Sequence, residues 1–394
     1  MFLNREQERM LKGDHGSAVQ KAMELLVAIG DALNAEKLIP ISSAHISGVS
    51  YTSIGDAGLL FLKDFALLGA KVKVSTSLNP AGIDLDRWRQ MGVKEDFYEK
   101  QRQILDAFYK MGVKLTCTCT PYFSGNLPRS NSDIAWAESS AVVYANSVLK
   151  AKTNRESGPS ALASAITGYI PLCGYHLEEN RRGSHNIILE FKPKSLLDAS
   201  IIGFIAGKKV VSGVPVFPKS KNFTSDHLKA MSAGLATSGG ISMFRIRDAS
   251  EELNVKEKVF IEPSDVNEVL DRYSASTQVN TIFFGCPHCS LSELKNLASL
   301  LKGRRVKGDI RLWVFTSRAV YSQAEKAGLI DLIEHAGGRV YCDTCPIVMP
   351  LYLLHGHTIA TNSSKAAYYL TTLHGIEVSL LDVNSCIKLY TEGV

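Results

Sequence analysis

Val279-Asn-Thr-Ile-Phe-Phe-Gly-Cys-Pro-His-Cys289 opens the most legible third of the chain. Val279–Phe284 is a short apolar run rich in β-branched and aromatic residues, and a glycine and a Cys-x-x-Cys pair follow it. That pattern reads as a buried strand delivering thiols at its carboxyl end. Outward from it, Leu291–Leu301 has helical periodicity, Ile310–Phe315 reads as a strand and Ser317–Ala327 as a helix. Arg339–Tyr341 is a strand after the Gly337–Gly338 turn, and Thr358–Thr361 is another. Ser363–Leu373 is a helix, and Ile376–Leu381 a last strand. Strands alternating with helices predict an α/β fold with a parallel, doubly wound sheet. In such sheets the carboxyl ends of the strands line the ligand crevice. Cys286, Cys345 and the stretch Asn362-Ser363-Ser364-Lys365 each follow a different strand, so three distant motifs are expected on one edge.

The N-terminal part repeats the theme. Helices are expected at Arg5–Leu11, Val19–Leu33, Gly58–Leu68 and Asp96–Met111, and a long one over Asp133–Leu149. Strands are expected at Leu38–Ile41, Val72–Ser75 and Lys114–Thr118. From Pro159 to Arg272 apolar segments alternate again: Ile187–Phe191, Val210–Val211, Leu228–Leu235, Ile241–Phe244 and Val259–Ile261. The expected organisation is an N-terminal α/β region over 1–275, divisible near 150, and a doubly wound domain over 276–394. The boundary rests on the turn-like Tyr273–Ser276.

With 394 residues, 45% hydrophobic and 21% charged, the chain can bury a large core. No run of about 18 uncharged apolar residues occurs, so no membrane span is expected. The N-terminus, MFLNREQERM, lacks the apolar core of a secretion signal. A cytoplasmic location follows as the expectation, and cysteines there serve more often as thiols or metal ligands than in disulfides. The net charge of +5 suits an anionic substrate. Its two denser clusters, Lys302–Arg305 and Glu178–Arg182, carry no interleaved aromatics, which argues against a nucleic-acid platform.

Six of the eight cysteines fall in three sets: Cys117 with Cys119, Cys286 with Cys289, and Cys342 with Cys345. Cys173 and Cys386 stand alone, as small buried hydrophobes do. Two Cys-x-x-Cys pairs fit a structural four-thiolate zinc site, although zinc knuckles usually space their pairs more closely. Pro287–His288 inside the first pair also fits a thioredoxin-like redox motif. A third reading takes one thiolate from each set to hold three corners of an iron–sulfur cluster, leaving one iron open as a Lewis acid.

Several stretches together resemble one family. They are His45-Ile-Ser-Gly48, Ser75-Thr-Ser-Leu-Asn-Pro80, Cys119-Thr-Pro-Tyr122, Glu138-Ser-Ser140, Thr153-Asn-Arg-Glu-Ser-Gly-Pro159, Gly285-Cys-Pro-His288, Asp343-Thr-Cys-Pro346 and Thr361-Asn-Ser-Ser-Lys365. The combination is similar to the aconitase X family over nearly the whole chain. The resemblance implies an aconitase-like fold of several three-layer αβα units with mainly parallel sheets. It implies a dehydratase with a 4Fe-4S cluster held by Cys119, Cys286 and Cys345. Bacterial members of the family act on cis-3-hydroxy-L-proline. Archaeal members dehydrate (R)-5-phosphomevalonate and pair a large subunit of about this length with a small swivelling subunit. The chain ends at Val394 with no swivelling domain appended, so it resembles the archaeal large subunit, and the expectation is a heterodimer acting on a phosphorylated small molecule.

Candidates for substrate contact at the expected site are Gly48, Val49, Ser50, Asn79, Pro80, Glu138, Ser139, Arg155 and Lys365. Their chemistry is suitable. Backbone amides of a Ser/Gly-rich loop at Gly48–Ser50 can cradle an anion. Lys365 at a helix start adds its charge to the dipole, and Arg155 can clamp an anion in two places. His288 is either a neighbour of the cluster or an exposed turn residue. No general base is recognisable in the chain; in aconitase-type enzymes a serine of the swivelling domain serves, which places the base on the partner.

Overall fold

The structure is a computed structural model that describes residues 1–247, 255, 257–275 and 278–393. Three parallel sheets follow one another along the chain, so the fold is α/β with several parallel sheets, as expected.

The first region begins with α1 (Arg5–Lys12) and α2 (Ser17–Ala32), then β1 (Leu38–Pro40) and β2 (Ser43–Ile46). It continues with α3 (Tyr51–Leu67), β3 (Ser75–Leu78), α4 (Glu95–Lys110), β4 (Ala135–Trp136), α5 (Ser139–Ser147), α6 (Gly158–Thr167) and β5 (Tyr169–Pro171). β2 is the centre of a parallel sheet, with β3 on one side and β4 on the other. Ile46 and Leu78 pack under α2, α3, α4 and α6, whereas Ala44 and Ala135 join a separate small core with Ile41 and Ile170.

The middle region holds β6 (His185–Leu189), α7 (Leu196–Val210), β7 (Pro215–Pro218), α8 (Ser225–Gly239), β8 (Arg245–Arg247), β9 (Glu257–Ile261) and α9 (Pro263–Arg272). Its strands run parallel in the order β8-β7-β6-β9. α7 and α8 pack backbone to backbone. A Cβ at Gly203 would lie 2.2 Å from the Met231 carbonyl, and one at Gly239 2.1 Å from the Gly207 carbonyl.

The last region contains β10 (Thr281–Cys289), α10 (Leu291–Leu301), β11 (Arg304–Val306), β12 (Arg311–Thr316), α11 (Arg318–Lys326), α12 (Leu329–His335) and β13 (Gly338–Tyr341). Then come β14 (Ile359–Thr361), α13 (Ser364–His374), β15 (Val378–Leu380), α14 (Val383–Tyr390) and β16 (Thr391–Gly393). The five-stranded parallel sheet runs β13-β12-β10-β14-β15. Ile282, Phe284, Leu312, Val314 and Val340 face a core with α10, α11, α12 and α14. Phe283, Phe315 and Tyr341 face the opposite core with α7, α8 and α13. The sheet is thus buried on both faces, which is why its strands read as continuous apolar runs.

Most expected elements of this last region stand within two residues of their expected ends, and α10 coincides with Leu291–Leu301. Departures concentrate where side chains replace backbone hydrogen bonds. The helix expected over Asp133–Leu149 is instead β4 followed by the shorter α5. α5 is buried on every side, so its sequence carries no amphipathic stripe to mark its start. The strand expected at Val72–Ser75 is β3, three residues later, and its polar Ser75-Thr-Ser77 hides it from apolar patterning. Lys114–Thr118 forms no strand beyond one bridge, Ser77 to Lys114. The Thr116 hydroxyl, rather than backbone, accepts from the Leu78 amide, and Cys117 takes φ +41°. Ile241–Phe244 precedes β8 instead of forming a strand, and Val210 ends α7. Ser276 of the expected boundary turn lies outside the described residues.

Candidate active site

Two of the sheets reverse direction of chain travel at a central strand. In the last region the chain winds from β10 out to β13, then crosses to β14 on the other side; in the first it winds from β2 to β3 and then to β4. Such switch points open a crevice at the carboxyl ends of the strands. Here the two crevices face each other. Gly48–Ser50 follow β2, Asn79–Pro80 follow β3 and Glu138–Ser139 follow β4. Opposite them stand Cys286 at the end of β10, Cys345 after β13 and Lys365 in the first turn of α13 after β14.

Direct bonds hold the two edges together. Lys365 Nζ meets Glu138 Oε1 at 2.5 Å. Ser50 Oγ donates to the Val348 carbonyl at 2.6 Å, and the Ala81 amide donates to the Asp343 carbonyl at 2.7 Å. Farther out, Arg318 ion-pairs with Asp84, Asp86 and Asp343, and Arg87 with Glu334.

Lys365 and Glu138 are the electrostatic centre. Both are buried. Glu138 caps α5 through the Ser140 amide and also accepts from Ser140 Oγ at 2.9 Å and Asn79 Nδ2 at 2.9 Å. Burial alone would raise its pKa, but Lys365 and these donors bring it down to about 2. Burial likewise opposes the Lys365 charge, and Glu138 with the Cys286 and Cys119 sulfurs holds its pKa well above the usual lysine value. A lysine in the first turn of a helix works against the helix dipole. A positive charge kept there, buried, is suited to meeting anions.

The six paired cysteines separate into distinct electrostatic settings. Cys119, Cys286 and Cys345 share the field of Lys365 and Glu138, and the Cys345 thiol is influenced by Cys286 as the Cys119 thiol is by Cys345. Cys117 and Cys342 instead sit beside Asp343 and Arg318. Cys289 sits beside Glu293 and Lys229. Burial raises all six thiols, Cys286 to about 11 and Cys345 to about 12, so they stay protonated at neutral pH unless a metal replaces the proton. Among the described residues no three His, Cys, Asp or Glu side chains stand close enough to hold a single metal ion. That disfavours a four-thiolate zinc site. An iron–sulfur cluster separates its thiolates more widely than one ion does, and the donor set of three neighbouring free thiols beside a buried lysine fits it.

Several polar groups around this crevice are unsatisfied. The amides of Gly48, Val49 and Ser50 have no hydrogen-bond partner among the described residues. Thr344 Oγ1 and Thr361 Oγ1 are buried without one. Buried polar atoms left unpaired in a folded chain mark a place where another group is expected. Gly158 at the start of α6 lets its backbone approach the same loop, since a Cβ there would lie 2.5 Å from the Ser47 carbonyl. Pro80 is buried beside Asn79, and Ser139 occupies the first position of α5.

Arg155 differs from the other expected residues. It is exposed, with no ion pair to Glu156 or Glu138 among the described residues, and lies nearer the end of α8, 3.9 Å from an added Cβ at Gly240. His288 is not an exposed turn residue: it is fully buried between the cysteine segments. Unforeseen from sequence is Lys229 of α8, buried against Glu293 and Asp226. The signal was a single lysine inside the apolar Leu228–Leu235 segment, which marks a buried charge in need of a partner.

Family models described as the first, second and third domains of aconitase X match residues 1–179, 183–271 and 279–392. The chain belongs to the aconitase X family. Among its curated relatives, the phosphomevalonate dehydratase large subunit of Methanocaldococcus jannaschii is 46% identical over 98% of this aconitase X chain and 100% of its own length. That of Methanothermobacter thermautotrophicus is 44% identical over 98% of each. The cis-3-hydroxy-L-proline dehydratase of Pseudomonas aeruginosa is 32% identical over 98% of this chain and 69% of its own. The crystal structure of Thermococcus kodakaraensis aconitase X in its holo-form, 42% identical, superposes on 99% of this chain and all of that one with a TM-score of 0.92. The fold is therefore that of aconitase X. No helix of the described residues is long and apolar enough to cross a membrane.

Proposed function

We propose that this chain is the large subunit of a hydro-lyase that dehydrates (R)-5-phosphomevalonate to trans-anhydromevalonate 5-phosphate, a step toward isoprenoids. The observation that carries the reading is the facing pair of strand-end crevices, with three coupled thiols on one side, unpaired amides on the other and Lys365–Glu138 between them. Identity of 36–46% to phosphomevalonate dehydratase large subunits over 98–100% of their length, against 32–35% to hydroxyproline enzymes over 69% of theirs, favours the phosphorylated substrate.

Dehydration removes a proton from the carbon beside a carboxylate and hydroxide from the next carbon. Cys119, Cys286 and Cys345 would hold a 4Fe-4S cluster, which supplies a Lewis acid for the leaving hydroxyl. The chain's own groups do the rest. The free amides of Gly48, Val49 and Ser50 donate to an anionic oxygen of the substrate, fixed in place because the Ser50 side chain is committed to Val348 and to capping α3. Lys365, kept charged, offsets the negative charge that builds on the carboxylate as the proton leaves. Glu138 aims both Lys365 and Asn79, and Asn79, Pro80 and Ser139 shape the wall beside it.

The proton acceptor in this reading is a serine of a small swivelling subunit. Of the serines beside the site on this chain, Ser140 donates to Glu138 and Ser50 donates to the Val348 carbonyl. Reconstituted anaerobically with iron and sulfide and mixed with the small subunit of an archaeal relative, the chain should dehydrate phosphomevalonate, leave cis-3-hydroxyproline untouched and be inert alone. Cys119→Ala should abolish iron retention while Cys117→Ala keeps it. Turnover by the large chain alone, or preference for hydroxyproline, would reject the reading.

A further inference from the structure

We propose that His288 is a positioning residue that sets the three cysteine-bearing segments in register. It rests on the proposed cluster site but reaches beyond the residues that touch substrate or thiolate.

His288 lies two residues after Cys286 and is wholly inaccessible to solvent. Every polar atom it has is used, and together they join three other segments. Its amide donates to Cys119 Sγ at 3.2 Å. Its ring Nδ1 meets Thr118 Oγ1, the residue before Cys119, at 3.0 Å. Its ring Nε2 meets the carbonyl of Thr344, the residue before Cys345, at 2.9 Å. Its carbonyl accepts from Lys229 Nζ at 2.9 Å, which fastens the whole loop to α8.

The proton positions follow from chemistry. A carbonyl can only accept, so Nε2 carries the hydrogen. Nδ1 then accepts from the Thr118 hydroxyl, and that oxygen in turn accepts from the Thr120 amide at 3.1 Å. The imidazole is thus a spacer of fixed length with one donor end and one acceptor end. It links the Cys119 segment of the first region to the Cys345 segment of the last, from the Cys286 segment between them. The Cys119 sulfur also receives a hydrogen bond from the amide, and such bonds to ligating sulfurs tune a cluster's potential.

No other side chain of this shape replaces the link. His288→Phe fills the space but leaves a buried carbonyl and a buried hydroxyl unpaired. His288→Gln can return a donor to the Thr344 carbonyl. The test is thiol-labelling of the metal-free full chain, followed by mass spectrometry. His288→Phe should accelerate labelling of Cys119, Cys286 and Cys345 together by about tenfold, the scale of one lost buried hydrogen bond. Cys173 and Cys386, elsewhere in the fold, should react at their original rates, and His288→Gln should recover much of the protection. After reconstitution, the Phe variant should lose iron faster and show an altered electron paramagnetic resonance spectrum.

A response confined to Cys286, a uniform response of every cysteine, or no recovery in the Gln variant would overturn the proposal. The metal-free labelling separates the two claims. A wild-type chain that takes up no iron, yet shows the expected labelling pattern in its variants, would sink the cluster reading and leave the positioning role standing.

Discussion

Two buried lysine–glutamate pairs flank the Gly-Cys-Pro-His-Cys segment. Lys365–Glu138 stands at its Cys286 end and Lys229–Glu293 at its Cys289 end. In residue types they are the same device, yet they are wired differently. Glu138 has Lys365 to itself, with Ser140 and Asn79 as further donors, and its pKa falls to about 2. Glu293 shares Lys229 with Asp226, and burial with that second carboxylate pushes its pKa above the ordinary glutamate value. Lys229 spends a further donor on the His288 carbonyl. Among the described residues Lys365 has no such backbone partner, and it lies in the field of three thiols instead. The difference teaches which pair is structural. One lysine is shared among two carboxylates and a backbone carbonyl, and the other is held charged beside the thiols by a single carboxylate.

The largest effect that would break this comparison is on activity. Lys365→Ala in the reconstituted two-subunit enzyme should lower kcat/KM by about a thousandfold, the scale of losing a preorganised charge at a transition state. A loss under tenfold would place Lys365 outside the chemistry. Next comes stability. Lys229→Met strands two carboxylates in the interior and should destabilise the metal-free chain by about 3–5 kcal/mol in urea unfolding at neutral pH, the scale for breaking a buried pair. Adding Glu293→Gln should return part of that loss, because the stranded charge is removed.

The smallest effect sharpens the comparison through its sign. Glu138 has a folded pKa below its unfolded value, so its contribution is present above about pH 4.5 and is lost as pH falls toward 2. Glu293 is shifted the other way, so its contribution is present at low pH and fades as pH rises through its raised pKa. Unfolding free energy measured against pH should therefore flatten below about pH 4.5 in Glu138→Gln, and rise more steeply with pH above about 4.5 in Glu293→Gln. Equal slopes in the two variants would mean that the pairs are alike after all.

How much was legible varied with what each signal depended on. The last sheet was readable because parallel strands buried on both faces are apolar throughout, and Leu291–Leu301 carries a capping box at Ser290 and Glu293. The small sheet of the first region was blurred because its strands end in the site and carry Ser and Thr where apolar residues would announce them, as Ser75–Ser77 do. Of the expected site residues, Gly48, Val49, Ser50, Asn79, Glu138 and Lys365 gather at one crevice, since each follows a strand and the switch-point rule is local to strand ends. Arg155 follows no strand and lies apart at the surface.

By itself the sequence determined the alternation of elements, the strand-end placement of the motifs and the family, because these depend on periodicity and on residues close along the chain. Only the tertiary structure sets the electrostatic surroundings of each thiol in a pair. Cys119 and Cys117 are two residues apart and identical in chemistry, yet one lies in the field of Lys365 and the other beside Arg318. The positive φ at Cys117 turns the backbone between them, and charges from distant elements then set the field each sulfur feels. The pairings Lys365–Glu138 and Lys229–Glu293, and the links through His288, likewise span residues far apart in sequence. Burial strengthens such interactions by removing water, and burial exists only once the sheets have packed.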